Sequence, residues 1–240
     1  MSPSQETADI ETSSPTYAGR FAGPAGEWML ARQAGLVLGF MKRHPGATVL
    51  DVGGGHGQLA IPLARAGHRV TVAGSDASCR QMIDDAVTRG EISFDVADLL
   101  HLPYADKQFD VVTCIRFLPH CERWEEAVRE LCRVARKAVV VDYPAVRSLN
   151  VLSRPLFNLK KGIEKTTRPF RLFRRGAMNR AFGEHGFRLV SGCPQYFWPM
   201  VLHRVLKRPA VSRLLEAFPR AIGLTLLLGS PILAMYEELL

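Results

Sequence analysis

The sequence predicts an α/β fold, a mostly parallel sheet with helices on both faces. Short apolar runs alternate with segments whose apolar residues recur at helical spacing, the pattern of repeated strand–helix–strand units. The stretch Val49–Ala60 (VLDVGGGHGQLA) joins a strand to a helix through alternating glycines at 53, 55 and 57. The chain has 240 residues, 47% hydrophobic and 22% charged, enough for one domain with a sizeable core.

Residues 1–16 are rich in Ser, Thr and Glu and read as a disordered tail, with residues 17–240 as one domain. Tyr17 to Gly26 is expected to be a loop. Helical spacing of Met29, Leu30, Ala34, Val37 and Met41 predicts a helix over Glu27–Arg43, ended by Pro45-Gly46. Strand 1 is Thr48–Val52. The helix after the glycines runs from about Gly57 to Ala66, with Pro62 near its first turns and Gly67 closing it. Strand 2 is Arg69–Ala73, and a helix carrying Met82, Ile83 and Ala86 follows it. Strand 3 is Ile92–Val96 and strand 4 is Asp110–Ile115. A helix over Trp124–Ala135 then leads to strand 5, Ala138–Val141. Residues 146–175 and 197–228 read as variable caps, the second as one or two amphipathic helices, before a last strand over Pro231–Tyr236.

The glycine turn is where a ligand is expected. Without side chains, Gly53, Gly55 and Gly57 let it lie against bare backbone, and the following helix points free N–H groups at it. Gly55-x-Gly57-x-x-Ala60 also satisfies a dinucleotide fingerprint, so the glycines alone do not decide between ligands. Asp51 favours the other class: an acid ending the strand would sit badly near a pyrophosphate and suits an amino group.

Asp51-x-Gly53-x-Gly55-x-Gly57 resembles the first motif of class I S-adenosylmethionine-dependent methyltransferases. Asp98 to Val112 (DLLHLPYADKQFDVV) resembles that family's D-x-x-x-L-P-[FY]-x-D-x-x-F-D-x-V segment, most of all in the ubiquinone/menaquinone C-methyltransferase and small-molecule branch. The resemblance implies a Rossmann-like, seven-stranded, mostly parallel sheet and S-adenosylmethionine as cofactor. It implies that Asp51, Gly53, Gly55, Gly57 and Ile115 border the cofactor. Asp76, following strand 2, would hold ribose hydroxyls, with Ser75 as a possible sharer and helix capping as the competing role. Asp98 would accept from the adenine amino group and the Leu99 N–H would donate to the ring. Tyr17, Arg20 and Phe21 would either form part of a lid or staple the first helix to the core.

Methyl transfer from a sulfonium needs alignment more than acid–base help, yet an acidic oxygen or carbon nucleophile calls for a base. His120, after strand 4, is the first candidate, with substrate hydrogen bonding and helix packing as alternatives. His56 is expected to pack beside the cofactor, and Tyr143 is the third candidate. No metal-ligand spacing is visible. The five cysteines lack a C-x-x-C pair, so neither disulfides nor zinc are expected and a cytoplasmic, reducing location is.

The charge is uneven. Residues 146–220 carry 16 Lys and Arg against three acids, a net of +13, which leaves −5 for the rest of a chain of net +8. This asymmetry suits an anionic membrane surface at the inner face, with a lipophilic acceptor. A solvated basic face is the bland alternative. An RNA-binding or RNA-modifying protein and a non-catalytic cofactor-binding protein are the other classes. Bases interleaved with aliphatics rather than aromatics argue against nucleic acid.

Overall fold

The computed structural model describes residues 6–149 and 170–239. Its centre is a seven-stranded sheet: β1 (Thr48–Val52), β2 (Arg69–Gly74), β3 (Ser93–Val96), β4 (Phe109–Cys114), β5 (Ala135–Tyr143), β6 (Phe187–Tyr196) and β7 (Ser230–Glu238). The order is β3-β2-β1-β4-β5-β7-β6, and only β7 runs antiparallel to its neighbours. The order reverses between β1 and β4, which opens a crevice at their carboxyl ends.

Alternation along the strands sorts the core into two layers. Leu50, Val52, Val112, Cys114, Val139 and Val141 face one side, against Trp124, Val128 and Leu131 of α6 (Trp124–Val134) and Phe182 of α7 (Arg175–Gly183). Val49, Val72, Val111, Val140 and Met235 face the other side. There they meet α3 (Pro24–Met41), α4 (Ala60–Arg65) and α5 (Asp84–Thr88) through Val37, Leu63 and Ala86. The same parity places Asp51, Thr113 and Asp142 on this second face at the strand ends. Asp51 lies in register with Thr113.

Several elements differ from expectation. Residues 6–16 are not a free tail: they form α1 (Ala8–Thr12) and enter α2 (Pro15–Ala18). Few apolar side chains hold them, and polar bonds do instead. The Asp9 carboxylate accepts from the Ser75 N–H at 2.7 Å, the Ser75 hydroxyl at 2.5 Å and the Cys79 thiol at 3.2 Å, and Ser14 caps α2. Helix α3 begins at Pro24, since proline at the first position loses no helical hydrogen bond. Strand β5 starts at Ala135, directly after α6, because Ala135 turns from helical to extended backbone with no intervening loop. The second cap forms three helices: α8 (Met200–Leu206), α9 (Pro209–Ala221) and α10 (Leu224–Leu228). Most of the first cap, 150–169, lies outside the described residues. The five cysteines are free thiols.

The Asp98–Val112 segment is fastened to α6 by one cation. Arg133 donates to the Leu102 carbonyl at 2.9 Å, the Tyr104 carbonyl at 2.8 Å and Asp106 at 2.8 Å. It pairs at 2.8 Å with Glu130, whose other bond is from the Leu102 N–H. These carboxylates hold the guanidinium well above its usual range. Arg133→Ala leaves the buried Glu130 without its cation and two carbonyls without donors, and is expected to cost about 2–3 kcal/mol in urea unfolding. A loss below about 0.5 kcal/mol, the scale of an exposed pair, would show that the segment is held by other contacts.

Candidate active site

The glycine turn owes its shape to its own residues. Gly53 and Gly57 have φ of +70° and +74°, a region that favours glycine. A Cβ at Gly54 would overlap the Asp51 carboxyl. One at Gly55 would overlap the Cys79 carbonyl and the Ser13 side chain, and one at Gly57 would lie 2.7 Å from Ile83. Above this turn is a cavity lined by Thr12, Tyr17, Asp51, His56, Ile115 and Arg116, with Gly53, Gly54, Gln58 and Leu59 completing the wall. It has room for about one water molecule.

Asp51 is buried, and its Oδ1 accepts from the Thr113 hydroxyl at 2.6 Å. Burial pushes its pKa up to about 7, against the smaller opposing effect of that bond. Arg116 follows β4 in a left-handed conformation, φ +64°, which turns its side chain back over the strand ends. Its N–H donates to Asp142 Oδ1 at 2.7 Å, its Nη2 donates to Gln33 Oε1 at 3.1 Å, and its guanidinium lies 4.0 Å from the centre of the Phe21 ring. Gln33 in turn donates to Asp142 Oδ2 at 3.0 Å. Burial lowers the Arg116 pKa, opposed by Tyr17 and Asp142. Arg116 Nη1 and Gln58 Oε1 are buried without a hydrogen-bond partner.

His56 packs edge-on against Tyr17 and Phe21, each 6.3 Å away between ring centres, and both its ring nitrogens are unpartnered. Burial, then the Arg116 charge, push its pKa down to about 4, so the ring is neutral at working pH. Tyr17 is thus a wall of the cavity, and Tyr17 and Phe21 together staple α3 to the core.

Of the residues expected from sequence, Asp51, Gly53 and Ile115 line the cavity, with Gly55 and Gly57 in the turn beneath it. Asp76 is exposed, and its carboxylate caps the following turn by accepting from the Ser78 N–H at 2.8 Å. Ser75 is buried and bound to Asp9. Asp98 accepts from the Leu100 N–H at 3.0 Å and pairs with His101 at 3.2 Å, while Leu99 is buried in the core. His120 ends a short turn after β4, with its ring 5.5 Å from that of Phe170, and is not among the cavity residues. Tyr143 belongs to the core on the opposite sheet face. Sequence reading missed Arg116, Gln33 and Asp142. Strand parity signals Asp142, whereas nothing local signals the left-handed backbone at Arg116.

This geometry fits an amino-acid zwitterion: a buried carboxyl lacking a cation and a half-buried guanidinium with a spare, buried donor line one cavity. The space is the difficulty. Residues 8–13 lie on the glycine turn, with Asp9 Cβ 3.4 Å from where a Cβ on Gly53 would be. This segment thus occupies space directly over the turn.

Comparison with known proteins supplies the class. Residues 50–141 match the family model described as a methyltransferase domain. A methyltransferase of Streptomyces halstedii is 38% identical over 97 residues, which cover 38% of this chain and 34% of that protein. The demethylmenaquinone methyltransferase of Deinococcus radiodurans is 33% identical over 109 residues, 42% of this chain and 45% of that one. The matches thus span about a third to a half of these curated relatives. Among solved structures, the magnesium protoporphyrin IX methyltransferase of Synechocystis with bound S-adenosylhomocysteine superposes with a TM-score of 0.65. It is 18% identical, over 96% of this chain and 98% of that one. With the acid-and-glycine turn at the reversal of the sheet order, these matches mark residues 50–141 as a methyltransferase domain, with S-adenosylmethionine as cofactor.

Proposed function

We propose that the protein transfers the methyl group of S-adenosylmethionine to a small, lipophilic acceptor. The observation that carries this reading is the pairing of Asp51 and Arg116 in one cavity. The cofactor's amino-acid end is a zwitterion, so its ammonium would take Asp51 and its carboxylate the spare Nη1 of Arg116. Bound there, S-adenosylmethionine supplies a methyl group already activated on a sulfonium. What the chain adds is alignment and the exclusion of water, through Ile115, Leu59 and the rings of Tyr17 and His56. A neutral His56 also puts no second positive charge beside the sulfonium. Asp76, Asp98 and Leu99 extend the proposed site toward ribose and adenine, on the strength of the sequence resemblance. The relative named as a demethylmenaquinone methyltransferase supports a small organic acceptor of lipophilic character.

Calorimetry on the purified protein tests the cofactor assignment. S-Adenosylhomocysteine is expected to bind and NAD is not; tighter binding of NAD would overturn the reading.

The pH dependence follows from Asp51. In the free protein it holds a proton up to about pH 7, and a bound ammonium favours its ionised form. Binding below pH 7 therefore releases a proton. Affinity for S-adenosylhomocysteine is expected to fall by up to about tenfold per unit as pH drops from 7 and to be flat above it. Asp51→Asn is expected to remove that slope and weaken binding at pH 8. For stability the sign is opposite. The folded chain keeps a proton that the unfolded chain loses between about pH 4 and 7, so Asp51 destabilises increasingly as pH rises through that window. Asp51→Asn is expected to melt higher than the parent at pH 8 and equally at pH 4.

Residues 8–13 compete with the ligand for the glycine turn, so loosening them favours the open form. Asp9→Ala removes the acceptor for three donors. It is expected to tighten S-adenosylhomocysteine binding, read by calorimetry; weaker binding would make the segment a wall of the site.

His120 is proposed to meet the acceptor, as a base or a hydrogen-bonding group. His120→Ala is expected to lower kcat while the dissociation constant of S-adenosylhomocysteine stays unchanged. Equal losses in melting temperature and cofactor affinity would instead mark a packing role.

A further inference from the structure

Helix α9 is packed inside out. Its inward stripe is Ser212, Glu216 and Pro219, all buried. Its outward stripe is Val211, Leu214 and Phe218, with Leu214 75% and Phe218 70% exposed. An ordinary surface helix does the reverse. The cause is a polar anchor. Glu216 accepts from the N–H groups of Phe197 at 2.9 Å and Trp198 at 3.0 Å, and its Oε1 lies 2.9 Å from Nε2 of the buried His203. These bonds fix the helix's rotation and leave the apolar stripe outside.

The stripe continues beyond the helix. Ile222, Leu226 and Leu227 are exposed after it, and Val205 before it. Eight of the fourteen large apolar side chains exposed among the described residues lie between Val201 and Leu227. Such concentration marks an interaction surface. Its charge is of one sign. Lys207, Arg208, Arg213 and Arg220 are exposed, and the only acid between 197 and 228 is Glu216, buried and engaged by its three partners.

We infer that α8–α10 form a docking surface for an anionic lipid bilayer, with the apolar stripe entering the acyl boundary and the bases at the headgroups. The charge decides the occupant. A second copy would bring the same positive rim against this one and be repelled, whereas anionic headgroups complement it. Long basic side chains can keep their charges in water while apolar neighbours insert. Among the described residues no helix is long and apolar enough to cross a membrane, so the contact is peripheral. This surface packs on α3, the helix whose Gln33 holds Arg116: His203 lies edge-on against Trp28 of α3, 5.6 Å between ring centres. The inference stands on α8–α10 alone and does not require methyl transfer.

Flotation of the full chain with vesicles tests it. The protein is expected to float with phosphatidylcholine vesicles containing phosphatidylglycerol at low salt, less at high salt, and little with phosphatidylcholine alone. Leu214→Ser with Phe218→Ser is expected to abolish flotation. Arg208→Gln and Arg213→Gln are each expected to weaken it about fivefold. All four side chains are exposed, so melting temperature and S-adenosylhomocysteine affinity are expected to stay put. The inference is overturned if the parent chain stays with the soluble fraction. It is equally overturned if the Leu214→Ser/Phe218→Ser variant floats as the parent does, which would put the lipid contact elsewhere in the basic C-terminal part. A dimer in solution that these substitutions dissociate, without vesicle binding, would assign the surface to a second copy.

Discussion

Asp51 is buried at the carboxyl end of β1 with a threonine hydroxyl as its hydrogen-bond donor, and the site is arranged around that carboxyl. The register of β1 on β4 supplies the threonine, because Asp51 lies directly beside Thr113. One strand further on, the same parity supplies Asp142, which holds the backbone of Arg116 and the amide of Gln33. The polar row thus costs the fold burial free energy at a place where the sheet would otherwise continue its Val and Leu layers. A ligand carrying a positive charge recovers part of that cost. A buried acid held near pH 7 also links ligand binding, stability and pH through a single group.

Much of this was legible in the sequence. Strand 1 begins and ends where expected, because Thr48–Val52 is apolar, short and followed by glycines that cannot continue it. The two motifs placed Asp51 and the turn correctly in the fold, and the sheet has the expected seven strands, mostly parallel. What was not legible came from long-range polar contacts. Composition made residues 6–16 look unfoldable, yet Asp9 finds Ser75 and Cys79 across 66 and 70 residues. Arg116 follows a strand as many residues do, and only its left-handed backbone aims it at the cavity. The stripe of α9 has ordinary amphipathic spacing; which side faces out depends on Glu216 finding His203 and two backbone N–H groups.

Two peripheral segments therefore bracket the carboxyl edge of the sheet in different ways. Residues 8–13 lie on the glycine turn, in the space proposed for the ligand. The 197–228 insert closes the other side of α3 and turns greasy, basic surface outward. Both are tied down by single carboxylates, Asp9 and Glu216, rather than by apolar packing alone. Segments held this way open at lower free energy than the sheet they cover, which suits parts that must move or dock.

The central claim is that Asp51 and Arg116 together receive the amino-acid end of the cofactor. A crystal structure of the protein with S-adenosylhomocysteine tests it most directly. The ligand's ammonium is expected on Asp51, its carboxylate on the Arg116 guanidinium, and residues 8–13 displaced from the glycine turn. A ligand bound elsewhere, with Asp9 still seated on Ser75 and neither Asp51 nor Arg116 in contact with it, would contradict the account.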